Sequence, residues 1–223
     1  MFILYAIFGQ SLPGILGHRG YSVTRIINQM SLSTEGIFGT SLGVSATYIY
    51  IFMLFGALLT KTNIGQFYID FALKALGKSP GGPAKAAIVS SCLFGSVSGS
   101  AVANVAGTGV VTIPLMKETG YKPEFAGAVE AVASTGGQIV PPMMGAAAFI
   151  MAEILGIPYY EIAIGAIIPA LIYYASVFAM VHFRAKARNL SGMDTNGLPP
   201  IKQMLREKGI MVLPLLVLIV LLM

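Results

Sequence analysis

Six consecutive residues, Gly95-Ser96-Val97-Ser98-Gly99-Ser100, interrupt an uncharged, largely apolar run from Ala86 to Met116, and the chemistry they offer is that of neutral oxygen. Ser96, Ser98 and Ser100 carry hydroxyls and Asn104 a side-chain carbonyl. The glycines weaken a helix, which frees main-chain carbonyls. A second interruption, Ser134-Thr135-Gly136-Gly137 followed by Pro141-Pro142, adds two more hydroxyls and removes backbone donors. Hard cations favour all-oxygen surroundings. With no carboxylate between Ala86 and Met116, a monovalent ion is expected rather than calcium: sodium near Ser96, Ser98, Asn104, Ser134 and Thr135, with the proton as the alternative. Anion chemistry is available too. Ser98 or Ser100 can cap the helix running to Met116, and Pro141-Pro142 can start a half-helix from Met143 to Leu155. Two positive helix ends would then face one anion.

Holding such groups requires elements that tolerate broken backbone. Hydrophobic residues make up 56% of the chain and charged ones 10%, against roughly 45–50% and 25% in soluble domains, so an all-α integral membrane protein is expected. Because about 20 apolar residues span a bilayer core, the run from Ala86 to Met116 is too long for one crossing. Split at Gly95–Ser100, it reads as a re-entrant hairpin of two half-length arms. Irregular backbone at that depth survives only where it lines a protein-enclosed or wet cavity. The net charge of +5 does not indicate nucleic acid, since the basic residues flank apolar runs. Cys92 is the only cysteine, which excludes an internal disulfide and a thiolate metal cluster.

Along the chain, a partial helix is expected from Met1 to Leu16, then a Gly/Ser-rich segment to Gly43 carrying His18, Arg19, Arg25 and Glu35, and a span from Leu42 to Thr60. Ile64 to Leu76 mixes apolar and charged residues and is expected to lie along the membrane interface. The hairpin opens at Gly81-Gly82-Pro83, between Lys78 and Lys85, and closes at Lys117, Glu118 and Lys122, so both ends are read as cytoplasmic. The segment from Ala131 to Ala152 is a broken helix. Ile157 to Phe183 spans again, with a possible kink at Pro169, and lands on Arg184, Lys186, Arg188, Lys202, Arg206 and Lys208, leaving Glu153 and Glu161 outside. His18, Arg19 and Arg25 fall on the outer side, against the charge rule. No cleavable signal peptide is evident. Ile210 to Met223 is apolar and shorter than a span, so the chain is read as a piece of a longer polypeptide. Three stretches follow: scaffold-side spans and interfacial helix (1–80), hairpin plus broken helix (81–156), and returning span, basic loop and truncated span (157–223).

Other residues have plainer readings. Gly95 with Gly99, and Ala103 with Gly107, have the spacing of close helix packing, a role also assigned to Ser90, Ser91, Thr108 and Thr112. Glu130, Glu153 and Glu161 can be read as proton carriers, but each sits at the end of an apolar run, where a carboxylate reaches headgroups or water. His182 reads as interfacial, and Tyr159, Tyr160, Tyr173 and Tyr174 as interface or packing aromatics.

The stretch Gly95 to Asn104, the segment Ile113-Pro114-Leu115-Met116-Lys117, then Gly120 to Ala126 and Ser134 to Pro142 resemble the large membrane subunit of TRAP transporters, the tripartite ATP-independent periplasmic carriers. With Ser33-Thr34-Glu35-Gly36-Ile37-Phe38-Gly39 upstream, the wording is similar to fused permeases served by TAXI-class binding proteins. The resemblance implies an elevator-type secondary transporter of the bacterial inner (cytoplasmic) membrane, multi-pass and built from two inverted repeats. Such a permease imports organic acids by symport with sodium, or sometimes protons, and needs no cofactor. The carboxylate would arrive on a periplasmic TAXI-class solute-binding protein, and a small membrane subunit would be fused in the full-length chain. Carried over, Gly95, Ser96, Ser98, Gly99, Ser100 and Asn104 form the first hairpin tip, and Ser134, Thr135, Gly136 and Gly137 the facing break, with Pro141 and Pro142 beyond it. The family's second hairpin has no counterpart here, as expected of a fragment holding roughly the first repeat.

Two rival readings differ in class. The membrane subunit of an ATP-driven importer is suggested by Glu130-Ala131 followed by Gly136, a faint coupling-loop pattern, but no phosphate-binding loop is present. An intramembrane serine protease would use Ser98 as nucleophile, with His18 or His182 as base.

Overall fold

The computed structural model describes residues 1–222, and the regular elements among them are all helical. Chain contacts divide it into two compact units, Met1–Ile49 and Tyr50–Met223.

The first unit holds α1 (Phe2–Phe8), α2 (Val23–Ile27) and α3 (Thr40–Val44), with short 3-10 and π turns. The helix expected to reach Leu16 stops at Phe8, because Gly9, Pro13 and Gly14 follow and Gly14 takes φ +66°. His18 fixes the turn that results. Its Nε2 donates to the Tyr5 carbonyl at 3.0 Å while Nδ1 accepts the Gly20 N–H at 3.0 Å. The segment beyond, read as merely Gly/Ser-rich, contains α2 because Ser22 caps it, accepting from the Arg25 N–H at 3.3 Å.

The second unit runs α4 (Tyr50–Thr60), α5 (Ile64–Leu76), α6 (Gly82–Ser98), α7 (Ala101–Asn104), a π turn at Val105–Gly109, α8 (Val110–Glu118), α9 (Pro123–Gly136), α10 (Ala146–Leu155), α11 (Tyr159–Ala187), α12 (Ile201–Lys208) and α13 (Leu213–Leu222). Two helical stretches, Thr40–Leu59 and Tyr159–Ala187, are long and apolar enough to cross a membrane, in the places where spans were expected. At 29 residues α11 extends about 43 Å; Pro169 lies inside it without ending it.

Ile64–Leu76 forms α5, which packs against α6 and buries Ile64, Phe67, Tyr68, Ile69, Ala72 and Leu73. Phe94 of α6 is clamped by backbone: a Cβ on Gly107 would fall 2.7 Å from its ring and one on Gly65 3.1 Å.

Helices α6, α7 and α8 form a hairpin whose base shares a core with α9 and α11. Ala84, Ala87 and Ile88, Met116, Ala126, Val129 and Ala133, and Tyr174, Val177, Val181 and Ala185 are buried together, the alanines allowing close helix approach. On α11 the buried positions recur every three or four residues, whereas Ile164, Ile168, Leu171 and Ile172 stand exposed. At the hairpin mouth Gly81 takes φ +69°, and a Cβ there would lie 2.5 Å from both the Tyr121 hydroxyl and Ala185. That enclosure leaves the Tyr121 hydroxyl without a partner, and burial pushes its phenol up.

Candidate functional site

Both expected breaks exist. Helix α6 ends at Ser98, Gly99 turns left-handed at φ +60° with its N–H on the Gly95 carbonyl at 2.9 Å, and Ser100 is extended. Of the two serines considered for capping, Ser100 does it, accepting from the Ala103 N–H at 3.3 Å. Helix α9 ends at Gly136, a 3-10 turn covers Gly137–Ile139, and Val140 is extended. The half-helix starts at Ala146 rather than Met143, so Pro141 and Pro142, joined by a cis bond, lie in the link before it. The link is held open by the hairpin tip and by its own turn: the Met143 N–H donates to the Ser96 carbonyl at 3.1 Å and the Gly145 N–H to the Gln138 carbonyl at 2.8 Å.

The breaks meet backbone against backbone. A Cβ on Gly95 would fall 2.4 Å from the Gly137 Cα, and one on Gly99 2.8 Å from the Met143 carbonyl oxygen and 2.7 Å from that of Met144. Ser96 donates its hydroxyl to the Leu93 carbonyl at 2.8 Å. Among the described residues, the Ser98 hydroxyl finds no hydrogen-bond partner, which leaves an orphan oxygen buried at the tip. Asn104 is fully buried; its Nδ2 donates to the carbonyls of Ser91 at 2.8 Å and Ser134 at 3.5 Å. Gly136 lies against the Tyr173 ring. Ser134 and Thr135 diverge: Ser134 is buried, while Thr135 is exposed and donates within its own helix to Ala131 at 2.7 Å. The structure therefore gathers Gly95, Ser96, Ser98, Gly99, Asn104, Ser134 and Gly137, and Thr135 points away from that group.

The reading of Glu130 as a headgroup-facing carboxylate is overturned, because it lies in α9 with no exposed surface. Its Oε1 accepts the hydroxyls of Thr108 at 2.5 Å, Ser134 at 3.0 Å and Ser91 at 3.1 Å, and its Oε2 that of Thr112 at 2.5 Å. Both hairpin arms and α9 are thus fastened to one carboxylate, and Ser91, Thr108 and Thr112, first read as packing residues, are donors to it. Sequence spacing carried the signal: Asn104, Thr108 and Thr112 share one face at four-residue intervals, as do Glu130 and Ser134. By contrast, Glu153 and Glu161 are exposed, as expected.

Three tyrosines of α11 also do more than pack. The Tyr173 and Tyr174 hydroxyls donate to the Val132 and Ala133 carbonyls, each at 2.7 Å, in the last turns of α9. The Tyr159 hydroxyl donates to the Pro142 carbonyl at 2.7 Å and accepts the Met144 N–H at 3.3 Å. Helix α11 is therefore a splint across the second break.

Neither rival reading fits this geometry. Ser98 bonds no histidine; His18 is committed to Tyr5 and Gly20, and His182 packs on Phe183 with ring centroids 5.7 Å apart. Glu130 to Gly136 is helix with a buried carboxylate, not a docking loop.

Comparison with known proteins follows the same line. The family described as "Tripartite ATP-independent periplasmic transporter, DctM component" matches residues 1–223. The chain is 29% identical over 157 residues to the C4-dicarboxylate TRAP transporter large permease protein DctM of Pseudomonas aeruginosa, covering 70% of this chain and 36% of that protein. It is 29% identical over 168 residues to the sialic acid TRAP transporter permease protein SiaT of Haemophilus influenzae, covering 75% and 27%. Against the isethionate TRAP transporter permease protein DctMQ of Oleidesulfovibrio alaskensis it is 30% identical over 144 residues, covering 65% and 22%. In each case the aligned part is well under half of the relative's length.

Proposed function

This chain belongs to the tripartite ATP-independent periplasmic transporters as a DctM component, and on that footing we propose that it forms part of an ion-gradient-driven importer of organic acids. The family's members are integral inner-membrane proteins, and its named relatives are transporter permeases rather than enzymes. Sodium is the coupling ion in this reading. The hairpin α6–α8 dips into the membrane, and with α9 and α10 (81–156) it belongs to a transport half that moves in an elevator motion. The exposed apolar faces of α11 support contact with lipid.

One observation carries the reading: two broken segments touch at Gly95 and Gly137, with the unpartnered Ser98 hydroxyl at the same tip. Freed carbonyls and hydroxyls there serve a monovalent cation. The N-terminus of α10, which has no side-chain cap and begins beside Gly99 across Gly145, serves the substrate carboxylate.

The substrate is a small organic anion. Three relatives are named for C4-dicarboxylates, sialic acid and isethionate, all anionic. A periplasmic solute-binding protein, of the TAXI class, delivers it, and a small membrane subunit completes the permease, fused to it as the name DctMQ suggests for one relative.

The test is uptake of radiolabelled succinate, N-acetylneuraminate and isethionate into ATP-free proteoliposomes holding the full permease, with its binding protein outside. Uptake should follow an imposed inward sodium gradient and vanish when sodium is equilibrated. Uptake driven by a pH gradient alone would assign the proton as coupling ion, and uptake only with ATP inside would overturn the reading.

A further inference from the structure

Glu130 is the only carboxylate among the described residues that is fully buried, and no cation pairs with it. An uncompensated buried charge is costly, and the four hydroxyls satisfy its lone pairs without neutralising it. Resting on the sodium reading above, we propose that Glu130 supplies the negative charge that holds the coupling cation at the hairpin tip, acting through Ser134 and Asn104 without touching the ion.

The path is short. Ser134 donates its hydroxyl to Glu130 and its carbonyl accepts Asn104 Nδ2. That same Nδ2 backs the contact between the breaks: a Cβ on Gly95 would lie 3.1 Å from it and one on Gly137 3.0 Å. The carboxylate thus stands two residues, Ser134 and Asn104, behind the contact between the breaks, where the candidate ligands are neutral. In a low-dielectric interior its field reaches that far with little screening. The geometry adds a second effect. Ser134, the link in this path, donates its hydroxyl to Glu130, which turns its lone pairs away from the carboxylate. A purely mechanical fastener would need the shape of this side chain and not its charge.

The experiment measures binding of radioactive sodium to the purified full permease, with potassium and choline as competitors, alongside thermal unfolding. Glu130→Gln keeps the shape and removes the charge. It should raise the sodium concentration for half-saturation about tenfold, which corresponds to one opposite charge at protein-interior range. Glu130→Asp keeps the charge on a shorter stem and should stay within about threefold of wild type, even if it melts earlier. Unchanged sodium affinity in Glu130→Gln would overturn the proposal, leaving the carboxylate a fastener. Should Glu130→Gln fail to fold, Glu130→Asp decides alone: a tenfold loss of affinity in this charge-retaining variant overturns the proposal, and near-wild-type affinity upholds it. If the wild-type permease binds no sodium, the coupling-ion reading itself falls, an outcome separate from any variant result.

Discussion

Gly95 and Gly137, on helices separated by the whole second hairpin arm, meet with no side chain between them: a Cβ on the first would fall 2.4 Å from the Cα of the second, and one on Gly137 2.7 Å from the Gly95 Cα. Backbone can neither rotate nor bend out of the way as a side chain can. Gly95→Ala or Gly137→Ala should therefore cost about 1–3 kcal/mol as an overpacking change and separate the two breaks. The check is uptake in proteoliposomes with thermal unfolding on the same sample; full activity in both variants would show that the contact is dispensable.

Gly99 combines a left-handed backbone with carbonyls of Met143 and Met144 closing over it. Gly99→Ala should cost about 1–2 kcal/mol for the conformation alone, and more for the clash, and should lower the melting temperature more than Gly127→Ala, where nothing stands within 4 Å.

Among the described residues, Thr112 is the sole donor to Oε2 of Glu130. Thr112→Val keeps the volume and deletes the hydroxyl, so it should destabilise by about 1.5–3 kcal/mol, the range for a hydrogen bond to a charged group. Ser90→Ala, which loses only a bond within its own helix, is the control. Equal melting temperatures for the two variants would argue against the cage.

Tyr174→Phe removes one phenol hydroxyl from the C-terminal carbonyls of α9. About 0.5–1.5 kcal/mol of stability should go with it. If α11 is a splint, Tyr159→Phe and Tyr174→Phe combined should also speed hydrogen exchange at Gly136 to Gly145, with the rest of α11 unaffected.

Ser98 and Asn104, which sequence reading treats alike, should behave differently. The Ser98 hydroxyl bonds nothing, so Ser98→Ala should leave the melting temperature unchanged and weaken sodium binding if the hydroxyl is a ligand. Asn104 donates to two carbonyls, and Asn104→Ala should cost about 1–3 kcal/mol through the unsatisfied groups it leaves. Loss of stability in Ser98→Ala would contradict the first expectation.

Position along the chain was largely legible because local chemistry sets it. Glycines at 95 and 99 with Ser100 beside them, and Gly136-Gly137 ahead of two prolines, weaken a helix at those points, so the places of both breaks follow from local composition. The span at Tyr159–Ala187 follows from length and apolarity. What filled each broken position was not legible. Pro141-Pro142 could have started a helix, and only the Ser96 carbonyl taking the Met143 N–H moved that start to Ala146. Glu130 looked like a carboxylate near water because its partners Ser91, Thr108 and Thr112 lie far away in sequence, and a buried charge is recognised only by the donors that surround it. The same holds for the α11 tyrosines and the carbonyls of α9. The sequence by itself determined where the backbone must open; tertiary contact decided which side chains satisfy the opened groups, since hydrogen-bond partners distant along the chain are chosen by packing and not by spacing.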